Sequence, residues 1–405
     1  TVTCIFACHV QTIQNMKKQV FIIGLDSDNK KRLERLPQAE ECDFHAALTY
    51  DDIREDEHYD IQKLIEKATE RIEQHDRIDG IASFYDFPGT VMVPILAEQF
   101  QLPAPSLEAV LKCENKYWSR LEQQKVISEN IPQFRAFDPR DEDAYDKLNL
   151  LPPFWIKPIK SFRSYLAFQI NGPRQFNEVM PVCREKGSYM SEPFHYLMKH
   201  YDMPPEIADM PESFIAESMI GGFQCTLEGY SAQGRMSVYG IVDSVREPDS
   251  SSFSRYEYPT CLPLEIQHRM IDATRLAIQQ IGYEQGPFNA EFFYDQTADQ
   301  VWLLEINPRI SESHVDLFEK VNGISHQSVM VDLALGRRPR PLERKGQYNI
   351  AAKFMLRTFE RGRVLRIPSE NAIQKLGQRQ PGTKVKSLVE PGENLEDLAR
   401  QDMYS

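Results

Sequence analysis

The sequence predicts a mixed α/β and α+β protein, in which a small doubly wound α/β domain precedes a larger region with antiparallel strands. Short buried apolar runs alternate with helix-spaced segments up to about residue 110, which is typical of parallel strands joined by helices. Residues 214–243 instead contain apolar runs separated by glycines, which predicts an antiparallel meander. The 405 residues suffice for two or three packed units.

In the first unit, apolar spacing predicts each element in turn. Residues 19–25 form an apolar run that ends in polar residues, as a central parallel strand and its turn would. Residues 61–73 have helical spacing, and 78–84 form another buried run. Asp86, Pro88 and Gly89 then begin a further helix.

The second unit is predicted to mix helices with antiparallel strands. Helical segments are expected over 114–128, 176–211, 262–281 and 315–335, the last of them broken at Gly323. Strands outside the meander are expected over 154–157, 165–171, 288–294, 301–306 and 351–356.

Composition limits the partners and the location. The net charge of −13 argues against nucleic acid, and no apolar stretch approaches the ~20 residues that span a bilayer. The first ten residues lack a basic leader, so no signal peptide is expected. Seven scattered cysteines favour a reducing cytoplasm, and Cys4, Cys8 and His9 are interpreted as packed residues because no second ligand pair follows them. The basic run 337–345 is interpreted as a solvated linker, with a polyanion site as the alternative.

Two glutamates and an asparagine form a candidate metal site. Glu305 and Asn307 are two residues apart, so on a strand they share one face. If residues 295–300 form a hairpin turn, Glu291 lies nearly opposite Glu305. Facing carboxylates repel unless a cation lies between them, and these oxygens suit Mg²⁺ together with phosphate. A solvent-facing glutamate, or one paired with Arg309, explains the spacing equally well.

Two further segments carry groups suited to a nucleotide. Lys157 ends the apolar strand 154–157, although such a lysine is often a simple strand-end charge. The following loop contains Lys160, Ser161 and Ser164, whose ammonium and hydroxyl groups can bind phosphate. Residues 214–224 predict an edge strand entering a glycine turn, where free backbone groups could meet a purine, or else a plain hairpin.

The order of these motifs resembles the ATP-grasp superfamily, and in particular its L-amino-acid ligases. The motifs are a lysine in an apolar strand, a Glu-x-x-x-Gly-Gly hinge, a glutamate, and Glu-x-Asn-Pro-Arg. The resemblance implies an N-terminal α/β domain over 1–112 and an ATP-grasp domain over 113–340, whose smaller lobe is about 113–216. It also implies a small C-terminal extension over 341–405, similar to that of biotin-carboxylase-like members.

The resemblance further implies a role for each motif position. The positions implied to bind ATP are Lys116, Lys157, Ser161, Ser164, Glu217, Ser218, Ile220 and Gln224. The two lysines would contact the phosphates, and Glu217 with the backbone of residues 218–220 would hold adenine. Gln224 stands where the family often has a ribose-binding glutamate. Mg²⁺, or alternatively Mn²⁺, is implied for Glu291, Glu305 and Asn307. Arg309, together with Lys157, is expected to act on the phosphoryl group in transfer.

Two loops depart from the family pattern. The phosphate loop has no glycine between 159 and 167, and the segment 310–314 lacks a glycine pair often found there. Glu312 and His314 are expected to face the amine, or to lie on a surface loop. The segment 246–259, which contains Arg255, is expected to cover the substrates.

The sequence therefore predicts an ADP-forming ligase that joins a small-molecule carboxylate to an amine through an acyl-phosphate, with amino acids or small peptides as the expected substrates. A homodimer is expected from the superfamily. A biotin-carboxylase-like or purine-pathway enzyme is one alternative. A non-catalytic ATP-binding regulator is another; the missing loop glycines favour it, and the intact Glu291, Glu305, Asn307 and Arg309 argue against it.

Overall fold

Three sheets organise the part of the chain that the computed structural model describes. The described residues are 17–54, 60–161, 165–187, 193–194, 196–197, 204–208, 213–247, 252–358 and 360–395. The interpretations of Cys4, Cys8, His9 and Ser164 lie outside these residues, as do parts of the predicted segments 176–211 and 246–259. No helix among the described residues has the length and hydrophobicity needed to cross a bilayer.

The N-terminal unit contains a parallel three-stranded sheet. Its strands are β1 (Lys18–Leu25), β2 (Cys42–Thr49) and β3 (Gly80–Ser83), in the order β2-β1-β3. Helices accompany them over Ser27–Leu33, Tyr50–Ile53, Ile61–Ile72 and Gly89–Gln99. The doubly wound unit is confirmed, and β1 is the central strand as predicted. Strand β2 was not predicted, because Asp43 and His45 interrupt its apolar pattern.

A second sheet is antiparallel and has four strands. They are β4 (Phe134–Phe137), β5 (Phe154–Pro158), β6 (Phe168–Ile170) and β7 (Phe214–Ser218), in the order β4-β7-β5-β6. The prediction that β7 is an edge strand continuing into the meander is wrong. It pairs with β4 on one side and β5 on the other, which leaves Phe214, Ile215 and Ala216 fully buried. Helices Ala144–Leu148 and Pro173–Lys186 lie in the same region of the chain.

The third sheet has six antiparallel strands. They are β8 (Phe223–Ala232), β9 (Arg235–Arg246), β10 (Phe253–Tyr258), β11 (Gly286–Asp295), β12 (Gln300–Asn307) and β13 (Ala351–Phe354), in the order β12-β11-β8-β9-β10-β13. The segment expected to cover the substrates thus contributes a regular strand, β10, which pairs with β9 and β13. The remaining helices span Leu107–Glu114, Lys116–Ile127, Pro205–Ala208, Leu264–Ile281, Val315–Asn322, Gln327–Ala334 and Glu370–Arg379. The predicted break at Gly323 is confirmed, since its φ of +78° favours glycine.

Ion pairs and hydrogen bonds attach the N-terminal unit to the helices that follow the third sheet. Arg32 lies 3.0 Å from Asp316 and 3.1 Å from Glu319. Gln38 donates to Asp332 at 3.0 Å. Arg309, which follows β12, also pairs with Asp86, which follows β3. The carboxyl end of the parallel sheet therefore lies close to the end of β12, where the candidate site begins.

Candidate active site

A cleft of about 1150 Å³ is lined by residues of the second and third sheets, by residues of helices and loops next to them, and by the loop that follows β3 in the N-terminal unit. The cleft gathers most of the predicted site residues, namely Lys116, Lys157, Ser161, Glu217, Ser218, Ile220, Glu291, Glu305, Asn307, Arg309, Glu312 and His314. These residues come from positions almost two hundred apart in sequence, and only folding makes them neighbours. Arg255 is not among the lining residues in the described chain; it lies on β10, with its Nε 2.5 Å from Glu257 Oε1.

The two predicted metal ligands face each other across the hairpin. Glu291 on β11 is the register partner of Glu305 on β12, and the turn between the strands lies where the sequence predicted it. Burial, and next the charge of Glu305, raises the pKa of Glu291 to about 7. Gln224 Nε2 donates to Glu291 Oε2 at 3.1 Å. The predicted pairing is confirmed, and its role in binding a metal remains a prediction.

An asparagine pair continues the same face of the hairpin. Asn307 is the register partner of Asn289, and Asn307 Nδ2 donates to Asn289 Oδ1 at 3.0 Å. This bond uses the amide nitrogen of Asn307, so its oxygen remains the atom that can bind a cation. Asn289 Nδ2 also donates to the backbone oxygen of Arg309 at 3.0 Å, which fixes the start of the next loop. Asn289 was not among the predicted residues, although it lies two residues before Glu291 and therefore on the same face of the strand.

Glu217 lies between two cations. Its Oε1 accepts a hydrogen bond from Arg120 Nε at 2.6 Å, and its Oε2 lies 2.6 Å from Lys157 Nζ. Burial alone would raise the pKa of Glu217, but Arg120 and Lys157 outweigh it and hold that pKa at about 2. Because both oxygens are engaged, Glu217 orients Lys157 in this structure. The adenine contact expected of Glu217 and the backbone of residues 218–220 remains a prediction.

Two more lysines lie beside the phosphate loop. Lys116 Nζ donates to the backbone oxygen of Ser161 at 2.5 Å, and burial lowers its pKa although Glu305 opposes this. Lys160 pairs with Glu114, and burial lowers the pKa of Lys160 to about 8. Thr90 in turn donates to Glu114 at 2.7 Å. Lys160, whose ammonium group was expected to be able to bind phosphate, is thus paired with Glu114 in this structure, and its contact with phosphate remains a prediction.

Arg309 is held by the N-terminal unit. Its Nη2 donates to Asp86 Oδ2 at 2.6 Å. Its buried Nε has no hydrogen-bond acceptor among the described residues, so a donor is available for an oxygen of a bound ligand. Burial would raise the pKa of Asp86, but Arg309 and Lys160 outweigh it and lower that pKa. Asp86 was known only as a helix-start signal, yet it follows a parallel strand, where ligand-binding residues are common in α/β folds.

The remaining predicted residues bond to the protein itself. Gln224 uses both ends of its amide, because its Oε1 also accepts from Arg246 Nε at 2.8 Å, so it supports Glu291 in this structure. Glu312 accepts from Asn29 Nδ2 of the N-terminal unit at 2.8 Å. His314 Nδ1 lies 2.8 Å from Glu228 Oε1. Glu312 and His314 therefore lie in the cleft, each with a partner that the sequence did not indicate.

Comparison with known proteins identifies the class of this arrangement. Residues 150–315 match the model of the ATP-grasp domain family. The chain is also 26% identical over 155 residues to the carbamoyl phosphate synthase large chain, C-terminal section, of Methanopyrus kandleri. That match covers 37% of this chain and 28% of the relative, so the chain spans little more than a quarter of that protein's length.

Solved structures share the fold over nearly the whole chain. The L-amino acid ligase from Bacillus licheniformis superposes with a TM-score of 0.68 at 18% identity, covering 94% of this chain and 89% of that one. The biotin carboxylase from Campylobacter jejuni gives a TM-score of 0.60 at 16% identity, covering 94% and 84%. N5-carboxyaminoimidazole synthase from Aspergillus clavatus, solved with ADP, gives 0.63 at 13% identity, covering 96% and 97%. Residues 150–315 thus match an ATP-grasp domain, and nearly the whole chain shares the fold of these structures, in agreement with the resemblance drawn from its motifs.

Proposed function

We propose that this protein is an ATP-dependent ligase that joins a carboxylate to an amine through an acyl-phosphate and releases ADP and phosphate. The observation that carries the proposal is the facing pair Glu291 and Glu305, which lies next to Arg309 and the phosphate-side lysines in one cleft. A buried carboxyl whose pKa is raised by a second carboxylate is an environment that a divalent cation relieves.

Mg²⁺, with Mn²⁺ as an alternative, fits these residues. Glu291, Glu305 and the oxygen of Asn307 would hold it. No cluster of three or more His, Cys, Asp or Glu side chains suited to a metal occurs in the described ranges. The ion would therefore take further ligands from phosphate and water, as Mg²⁺ usually does. When bound, it would neutralise charge on the phosphoryl group in transfer.

The protein's own residues act on the substrates. Lys116 and Lys157 bind ATP phosphates, and Glu217 keeps Lys157 in place. The substrate carboxylate attacks the γ-phosphorus, ADP leaves, and Arg309 donates to the oxygens that gain charge. The amine then attacks the acyl carbon and phosphate leaves.

Amino acids or small peptides are the proposed substrates. The cleft presents Arg309 for a carboxylate, and Asp86, Glu312 and His314 for an amine. The structural likeness to an L-amino acid ligase supports this choice. The similar scores of biotin carboxylase and the purine-pathway enzyme leave carboxylation chemistry as the second candidate. The expected homodimer and cytoplasmic location remain predictions.

Trapping with hydroxylamine tests the proposal. The wild type, screened with pairs of amino acids, should release ADP and form an acyl-hydroxamate. Arg309→Lys should bind ATP nearly normally and form product at least ~100-fold more slowly, because an ammonium cannot reproduce a planar donor aimed at the developing charge. Arg174→Lys is the control, since the Arg174 side chain is 93% exposed. ADP release without hydroxamate for any acid would overturn the acyl-phosphate route.

A further inference from the structure

A buried glutamate behind the cleft has no role in the chemistry described so far. Glu228 on β8 has no exposed surface, and its carboxyl group lies 2.8 Å from His314 Nδ1. The backbone N–H of Ser311 donates to it at 3.3 Å and the Tyr239 hydroxyl at 3.4 Å. Glutamate is almost never buried this completely unless it is paired. Here its contacts converge on the imidazole of His314.

His314 connects that carboxyl group to the cleft. The residue lines the cleft although it is only 2% exposed. Its Nδ1 is committed to Glu228, and its Nε2 has no hydrogen bond to any described residue. The edge-on ring of Tyr256, with centroids 5.0 Å apart, restrains the imidazole further. A carboxylate on one ring nitrogen fixes the orientation of a histidine, so Nε2 is the atom available to a bound substrate.

We propose, on the basis of the ligase function above, that Glu228 and His314 form a proton relay for the incoming amine. The amine nitrogen attacks the acyl carbon with its lone pair, so that a C–N bond forms and the C–O bond to phosphate breaks. Phosphate leaves with the electron pair. Before the attack, the substrate ammonium loses one proton to His314 Nε2 while the Nδ1 proton passes to Glu228 Oε1, which frees the lone pair. After the attack, the second proton of the nitrogen leaves with the phosphate. The relay returns the first proton to water when the products leave.

The electrostatic environment agrees with this direction of transfer. Burial raises the pKa of Glu228 well above its usual value, although Arg309, Ser311 and Tyr239 oppose it. Burial, followed by His326, Lys353 and Arg309, lowers the pKa of His314 well below its usual value. The relay starts from the ionised carboxylate, the form of Glu228 that the charge of Arg309, the N–H of Ser311 and the Tyr239 hydroxyl favour. Once a proton reaches the pair, the buried carboxyl group holds it and the imidazole stays neutral. His326 lies 3.8 Å from Glu228, and burial lowers its pKa to about 3, so it adds no charge to the relay.

The test compares two nucleophiles that differ in their need for a base. Hydroxylamine is largely unprotonated at neutral pH, whereas an amino acid amine is protonated and must lose a proton. His314→Asn keeps an amide near Nδ1 but cannot relay a proton. We expect it to slow amide formation by about 100-fold or more, the range for a lost general base, with a much smaller effect on hydroxamate formation. Glu228→Gln should show the same split, because it retains the shape of the side chain.

His268→Asn is the control, since His268 is exposed on the helix Leu264–Ile281. It should change neither product. Equal losses of amide and hydroxamate in both variants, or no loss in either, would overturn the relay while leaving the ligase function intact. Absence of hydroxamate from the wild type would instead overturn the ligase function. Thermal melting of each variant confirms that the comparison is made on folded protein.

Discussion

Protonation of Glu291 should make metal–nucleotide binding depend on pH. Glu291 faces Glu305 and is buried, so without a cation its pKa is about 7. A divalent ion between the two carboxylates requires both to be ionised, and binding then releases the proton that Glu291 carries. Because the carboxyl's pKa is raised in the free protein, the affinity should be lowest at acid pH and rise through pH 7.

The size of the effect follows from that pKa. At pH 6 the carboxyl is about nine-tenths protonated, so MgATP affinity should be about tenfold lower than on the plateau above the pKa. At pH 7 about half a proton should be released for each nucleotide bound. The pH range in which the titration reports on Glu291 ends near pH 7.5. Above that pH, Lys160, whose pKa is about 8, begins to lose its charge.

Calorimetric titration with MgATP, without the carboxylate substrate, measures both quantities. Repeating it in buffers of different ionisation enthalpy gives the number of protons released. Glu291→Gln should bind more weakly and independently of pH, and subtracting its values removes protons lost by other groups. Glu98→Gln, at an exposed glutamate on the helix Gly89–Gln99, should match the wild type. The same pH slope in the wild type and Glu291→Gln would refute the shared cation.

Two further substitutions test neighbouring parts of the site. Lys157→Ala should lower ATP affinity by at least about tenfold, since a hydrogen bond to a charged group contributes roughly 1.5–3 kcal/mol, while Arg120 still pairs with Glu217 and keeps the fold. If ATP raises the melting temperature of Lys157→Ala as much as that of the wild type, Lys157 does not bind the nucleotide. Glu305→Gln should reduce turnover by orders of magnitude with little loss of stability, because it removes a ligand charge and relieves repulsion at Glu291. Near-normal activity across Mg²⁺ concentrations would make the hairpin purely structural.

Local patterns predicted the hairpin and its facing glutamates. Strand side chains alternate with a period of two, so the spacing sufficed to put Glu291 nearly opposite Glu305. A regular register from the Asp295–Gln300 pair would place Leu304 opposite Glu291, and an irregularity between Glu291 and Phe292 shifts the register by one residue, so that Glu305 faces Glu291. The same reasoning located β1, β3 and the helix break at Gly323. These features depend on residues that are close in the chain, where side-chain periodicity carries the information.

Sheet membership was harder to predict. The apolar run of β7 was assigned to the meander because it precedes β8, yet β7 lies between β4 and β5 in another sheet. Backbone hydrogen bonds are alike in every strand, so a sequence pattern shows that a strand exists but not which strand it joins. For the same reason, the strand β10 within residues 246–259 was not predicted, although Phe253 and Tyr256 of this segment do line the cleft.

The sequence by itself determined the set of charged and amide groups in the cleft and their order along the chain. The tertiary structure decided how each group is held. Arg309 meets Asp86 from 223 residues away, Arg120 meets Glu217 from 97, and His314 meets Glu228 from 86. Such pairs depend on how the three sheets pack against one another. Buried charges need partners wherever packing places them, and neither periodicity nor motif spacing encodes those contacts.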